Sequence, residues 1–99
     1  MPTDSIRPHS HLKLRFQVPR SRVIKYEVEA NRPVDTYILD EQGLQEFYSK
    51  RDYIESYYGG FSNRYNHTQE LRLPFSGWGY LVIKNPHDAS VAVHYELSS

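Results

Sequence analysis

Residues 53–67 read YIESYYGGFSNRYNH and hold the densest set of side chains equipped to bind something. Tyr53, Tyr57, Tyr58, Phe61 and Tyr65 offer flat faces that could stack on a sugar, a base or a partner's side chain. Arg51 and Arg64 flank them, and each could grip an anionic group through paired N–H donors. Gly59 and Gly60 permit positive φ and a tight reversal among the rings. The opposing reading is that these rings roof one end of a core and leave their hydroxyls in water, since tyrosine is an ordinary strand residue. Loops carried on a rigid β scaffold often perform recognition. This segment is therefore the candidate ligand-binding site.

Other chemistries have weaker support. His9 and His11 form a His-x-His pair, and in a strand that spacing puts both rings on one face, as metal ligation requires. His67, His87 and His94 show no spacing that would bring them to that pair, so no metal site is expected. Acid–base catalysis needs two carboxylates in contrasting environments. Asp35, Asp40 and Asp52 are available, but Asp40 lies between a strand and a helix start, where an N-cap role explains it. There is no Gly-x-Ser-x-Gly, no Ser-His-Asp signature and no phosphate-cradling loop. The expectation is a protein that is not an enzyme and carries no cofactor.

These side chains must be positioned by a small scaffold. The chain has 99 residues, enough for one core. With no cysteine, neither disulfides nor thiolate–zinc sites can brace it. Lys and Arg total 12, and so do Asp and Glu. This balance argues against a nucleic-acid partner. The basic residues concentrate before residue 33, an asymmetry that could complement a neighbouring subunit or simply mark solvated strand faces. No apolar run is long enough to span a membrane, and the start shows no secretory pattern. The expected location is the cytoplasm.

Residues 1–10, with two prolines and no periodicity, read as a flexible tail, and residues 11–99 as a single domain. Alternation is clean in residues 11–18, where Leu12, Leu14, Phe16 and Val18 oppose His11, Lys13, Arg15 and Gln17. Residues 24–29 alternate likewise, and Asn31-Arg32-Pro33 reads as the next turn. Residues 34–40 and 78–85 are apolar on both faces, which predicts strands covered on both sides. Residues 43–52 carry the one helical pattern, with Leu44, Phe47 and Tyr48 on one stripe. Pro74 to Gly77 makes a corner, and Trp78 after it reads as core. Asn85-Pro86-His87-Asp88 is a turn before a last strand with Val91, Val93, Tyr95 and Leu97 inward. Short strands with such turns between them argue for a β-sandwich or small barrel. The expected fold is all-β, a mainly antiparallel, jelly-roll-like sandwich with one short helix.

The order of several motifs resembles a bacterial family of small uncharacterised β-sandwich domains, sometimes joined to TIR-type domains. The matching positions are Ile38 or Leu39 with Asp40, then Phe47, then Tyr57-Tyr58-Gly59-Gly60. Pro74-Phe75-Ser76-Gly77, Tyr80 to Ile83 and Val91 to Leu97 follow. The chain departs from the pattern in placing Trp78 one position early and in extra residues around 48–56. The resemblance implies a sandwich without known enzymatic activity, in a signalling or phage-defence setting. The expected function is thus a non-catalytic binding or sensing module that recognises a protein or small-molecule ligand. The alternatives are a homo-oligomerising structural module and a carbohydrate-binding domain.

Overall fold

The computed structural model describes residues 3–49 and 58–98. Six strands and one helix follow in the order β1 (Thr3–Ile6), β2 (His11–Gln17), β3 (Val23–Leu39), α1 (Glu41–Ser49), β4 (Arg64–Arg72), β5 (Trp78–Lys84) and β6 (Val91–Ser98). Every pairing between these strands is antiparallel. β1 pairs with β6 and β2 with β5. β6 lies along the first half of β3 (Ala30 opposite Val93) and β5 along its second half (Asp35 opposite Lys84). β4 runs along the other edge of β3, continued by Phe61 and Gly59, whose carbonyls accept from Thr36 and Ile38 N–H.

The sheet is therefore a set of long ribbons that all bend near the middle. β1 and β2 are separated by the turn at 7–10, β5 and β6 by the turn at 85–90, and β3 by a register shift between Glu29 and Val34. Bends at matching heights wrap the ribbons into a nearly closed barrel. The expected sandwich is corrected accordingly. Its physical source was Asn31-Arg32-Pro33, read as a turn that cuts one strand into two. The chain instead runs through as a 17-residue strand. Pro33, which has no N–H, falls inside the irregular stretch where the ladder is already broken.

Asn85 fastens two of these bends, at 7–10 and 85–90. It is fully buried, and its Nδ2 donates to the carbonyls of Ile6, Arg7 and Ala89 at 3.1, 3.1 and 2.8 Å. Its Oδ1 accepts from His87 N and its own N–H donates to Ser10 O. The expected turn at 85–88 is present. Within the segment expected as a flexible tail, residues 3–6 form a strand. Thr3–Ile6 pairs with β6, and Ile6 is 4 % exposed. One apolar residue among polar ones shows no periodicity in sequence, yet it is enough to seat a four-residue strand.

β5 shows why two-faced apolar strands sit centrally. Leu81 and Ile83 enter the barrel core with Ile24, Val28, Ile38 and Val93. Tyr80 and Val82 point outward, where α1 covers them with Leu44 and Phe47. Burying these side chains contributes about 2 kcal/mol each, which a nine-residue helix needs in order to persist. Asp40 caps α1, its Oδ1 accepting from Gly43 N at 2.8 Å and its carbonyl accepting from Leu44 N.

Candidate functional site

The described residues of the tyrosine-rich segment do not share one environment. Arg51, Tyr53 and Tyr57 lie outside the described residues. Tyr58, Phe61, Arg64 and Tyr65 have different surroundings. Tyr58 packs on Phe75 with ring centroids 4.9 Å apart, and its hydroxyl donates to Asp40 Oδ2 at 2.8 Å. Phe61 instead lies 4.5 Å from the His67 ring, with the Arg64 guanidinium 5.0 Å from its centroid. Phe61 is half-buried and packs against a polar side chain, His67. Tyr65 is 56 % exposed and shares a shallow surface hollow with Ser62, Asn63, Arg64 and Asn66.

Gly59 and Gly60 form no tight hairpin. Gly59 bridges Ile38, and Gly60 lets the backbone pass close to β3. A Cβ on Gly60 would meet the Thr36 carbonyl oxygen at 2.0 Å, and its φ is 144°. Gly60 N and Tyr26 OH both donate to Gln69 Oε1. Phe61 N donates to Thr36 Oγ1, which also hydrogen-bonds His67 Nε2 at 2.9 Å. This buried polar network holds the segment down at 58–61.

The aromatic surface that does form is centred on Trp78, which the sequence reading had placed in the core. Trp78 is 48 % exposed. It pairs with Gln17 at the start of β5, on the outer face that it shares with Tyr80, beyond the part that α1 covers. The Arg15 guanidinium lies 4.3 Å from the indole centroid. An open cleft of about 480 Å³ adjoins the indole, lined by Asp40, Glu41, Gln42, Phe75, Ser76 and Trp78. Tyr58 stands at its margin through Phe75 and Asp40. The signal that could have exposed Trp78 is its row. Outward positions of β2 carry Lys13, Arg15 and Gln17, so an outward residue of β5 has only polar or charged neighbours on that side.

The cleft is rich in acceptors. Glu41 accepts from Tyr80 OH and Asp40 accepts from Tyr58 OH. Each bond raises the tyrosine's pKa above its usual 10, first because the proton is held against a carboxylate and then through burial and the like charge. Both hydroxyls thus stay protonated donors, and both carboxylates keep lone pairs for a further donor.

His9 and His11 have different neighbours. His9 pairs with Asp88, whereas His11 meets the Phe47 ring edge-on at 4.8 Å. Among the described residues no group of three His, Asp or Glu side chains converges. Asp35 accepts from Asn63 N. Among the described residues no helix is long and apolar enough to cross a membrane. No protein family matches the sequence of this chain, and no curated protein matches it.

Proposed function

We propose that this chain is a non-catalytic recognition module that receives a basic side chain of a partner protein in the Trp78 cleft. One observation carries the reading: a half-exposed tryptophan and Phe75 line a cleft that also holds two carboxylates. An arginine or lysine entering there gains stacking on the rings and Coulomb attraction to Asp40 and Glu41. A neutral sugar would gain the stacking and hydrogen bonds but not the charge term. Arg15 lies against the indole and leaves the local balance negative. The bacterial signalling or defence setting belongs to the same proposal and rests on the order of the sequence motifs.

Trp78 is the only tryptophan, so its fluorescence reports on the cleft directly. A tripeptide with a central arginine should shift Trp78 emission saturably, and the citrulline analogue should not. Glu41→Gln should weaken the response about tenfold while the thermal midpoint moves little, because Glu41 is exposed. Equal responses to arginine and citrulline peptides, or a response only to oligosaccharides, would refute the charge-based reading.

A further inference from the structure

A second cleft lies where β3 begins and β4 ends. It measures about 290 Å³ and is lined by Arg22, Arg72, Leu73 and Pro74. That is close to the low end of the range for small-molecule pockets, roughly 300 Å³. Its construction follows from register. Arg72 is opposite Val23, and Leu73 N donates to Arg22 O at 2.7 Å, so the two arginines are neighbours across the β3–β4 ladder. Arg72 belongs to the outward row of β4, because Leu71 and Leu73 on either side of it pack on the core. Leu73 is almost fully buried and forms an apolar floor, with the exposed Pro74 ring beside it.

Arg22 reaches that row through a backbone irregularity. Ile24 faces the core, so extended geometry would send the Arg22 side chain inward beside Leu73. Its φ is instead 60°, and the residue is exposed. This left-handed conformation closes the turn in which Arg22 N donates to Pro19 O. Glycine adopts it without strain, whereas a residue with a Cβ does not. A strained residue therefore carries one guanidinium up to another, and the like charges repel. Arg20, exposed in the same turn, adds a third positive charge. Among the described residues neither Arg22 nor Arg72 is paired with a carboxylate. The next acid along the outward row of β4, Glu70, has Lys25 opposite it.

An anion held between the two guanidiniums offsets both the repulsion and the strain. From this arrangement we infer that the cleft binds a phosphate monoester, whose free oxygens accept from the N–H groups of Arg22 and Arg72 while its ester carbon rests on Pro74. A phosphate monoester carries close to two negative charges and three acceptor oxygens, enough to serve both forks, whereas a carboxylate carries one charge. The site does not rest on the reading of the Trp78 cleft. The two clefts flank the same corner, Pro74 on this side and Phe75 with Ser76 on the other, and they select opposite charges.

The probes are N-acetyl-phosphoserine amide, the matching serine and glutamate amides, and inorganic phosphate, titrated at physiological salt and followed by amide chemical shifts. The phosphoserine probe should bind about tenfold more tightly than the other three, with shifts centred on Arg22, Arg72 and Leu73. Arg22→Gly is the informative variant. It should weaken binding about fivefold while the thermal midpoint holds, because glycine suits the φ of 60°. Should Arg22→Gly fold poorly, Arg72→Gln at an exposed strand position must produce a comparable loss of binding. A heptapeptide with a central phosphoserine and glycerol 3-phosphate separate the sources of the ester. Tighter binding of the peptide assigns it to a partner protein, and equal or tighter binding of glycerol 3-phosphate assigns it to a small molecule. The inference is overturned if the glutamate amide or inorganic phosphate matches the phosphoserine probe, or if the folded variants bind that probe unchanged. Neither variant should alter the response of Trp78 to the arginine tripeptide, so the two readings fail separately.

Discussion

His67 is the side chain whose chemistry departs furthest from its ordinary state. It is 8 % exposed, flanked by the rings of Tyr26 and Phe61, and its Nδ1 is buried without a partner. Burial first, and the Arg64 guanidinium second, lower its pKa from 6.5 to about 4. The unfolded chain therefore takes up a proton near pH 6.5, and the folded chain waits until about pH 4. Between those values the unfolded state binds more protons, so stability is complete above pH 6.5 and declines as the pH falls toward 4. The slope from this group is at most about 1.4 kcal/mol per pH unit, so the whole loss is at most about 3 kcal/mol. Urea midpoints of the wild type and of His67→Gln at pH 7 and pH 4.5 isolate this contribution from the carboxylates that titrate nearby. The wild type should lose more stability on acidification than the variant. Nothing in the spacing of the five histidines singled out this one. Its isolation comes from pairing with Val28 on the inner face of β3, which no local pattern encodes.

At the scale of elements, the strands were readable where alternation was clean and the helix where its stripe was clean. β2 and β6 follow their period-two patterns, and the two-faced apolar runs of β5 and late β3 lie between a core and a covering helix as anticipated. The bend at 31–33 was misread, because turn-forming residues such as Asn31 and Pro33 serve equally well in a bulged strand. The glycine pair was misread for a related reason: glycine supplies freedom for a reversal and also clearance for a close crossing. The two uses respond differently to a methyl group. At Gly60 an added Cβ collides with the Thr36 backbone and the φ of 144° is unfavourable, so Gly60→Ala should cost about 3 kcal/mol or more. At Gly77, with φ 92° but open space around the position, alanine should cost only about 1 kcal/mol. Chemical denaturation of the two variants side by side checks the ordering. Equal losses would mean that the crossing at Gly60 is not tight.

Across the whole molecule, the candidate site was legible only as a composition of aromatic and basic residues. Of the described positions, Tyr58 alone borders the Trp78 cleft, and Trp78 itself looked like core because its strand is apolar on both faces. Exposure there is set by where α1 stops covering β5, a property of the assembled barrel. The same holds for Asn85, whose sequence context announces a turn but not a clamp on the turn at 7–10. Replacing it with alanine leaves the carbonyls of Ile6, Arg7 and Ala89 without their donor. Asn85→Ala should therefore lower stability by about 3 kcal/mol, read from a urea transition. Because the clamp ties β1 to the β5–β6 bend, hydrogen exchange should quicken most in β1 and early β6.

The pairing of β1 with β6 also constrains how the chain comes off the ribosome. Thr3 lies opposite His94, and Asp4 accepts from the Tyr95 hydroxyl at 2.8 Å. During synthesis the first strand is made long before its only strand partner exists. β2 likewise waits for β5, and β3 for β4, β5 and β6. The nascent chain can close its barrel only after β6 has cleared the exit tunnel. Until then the apolar rows of β2 and β3 stand open, which makes this interval the natural point for chaperone capture or for aggregation.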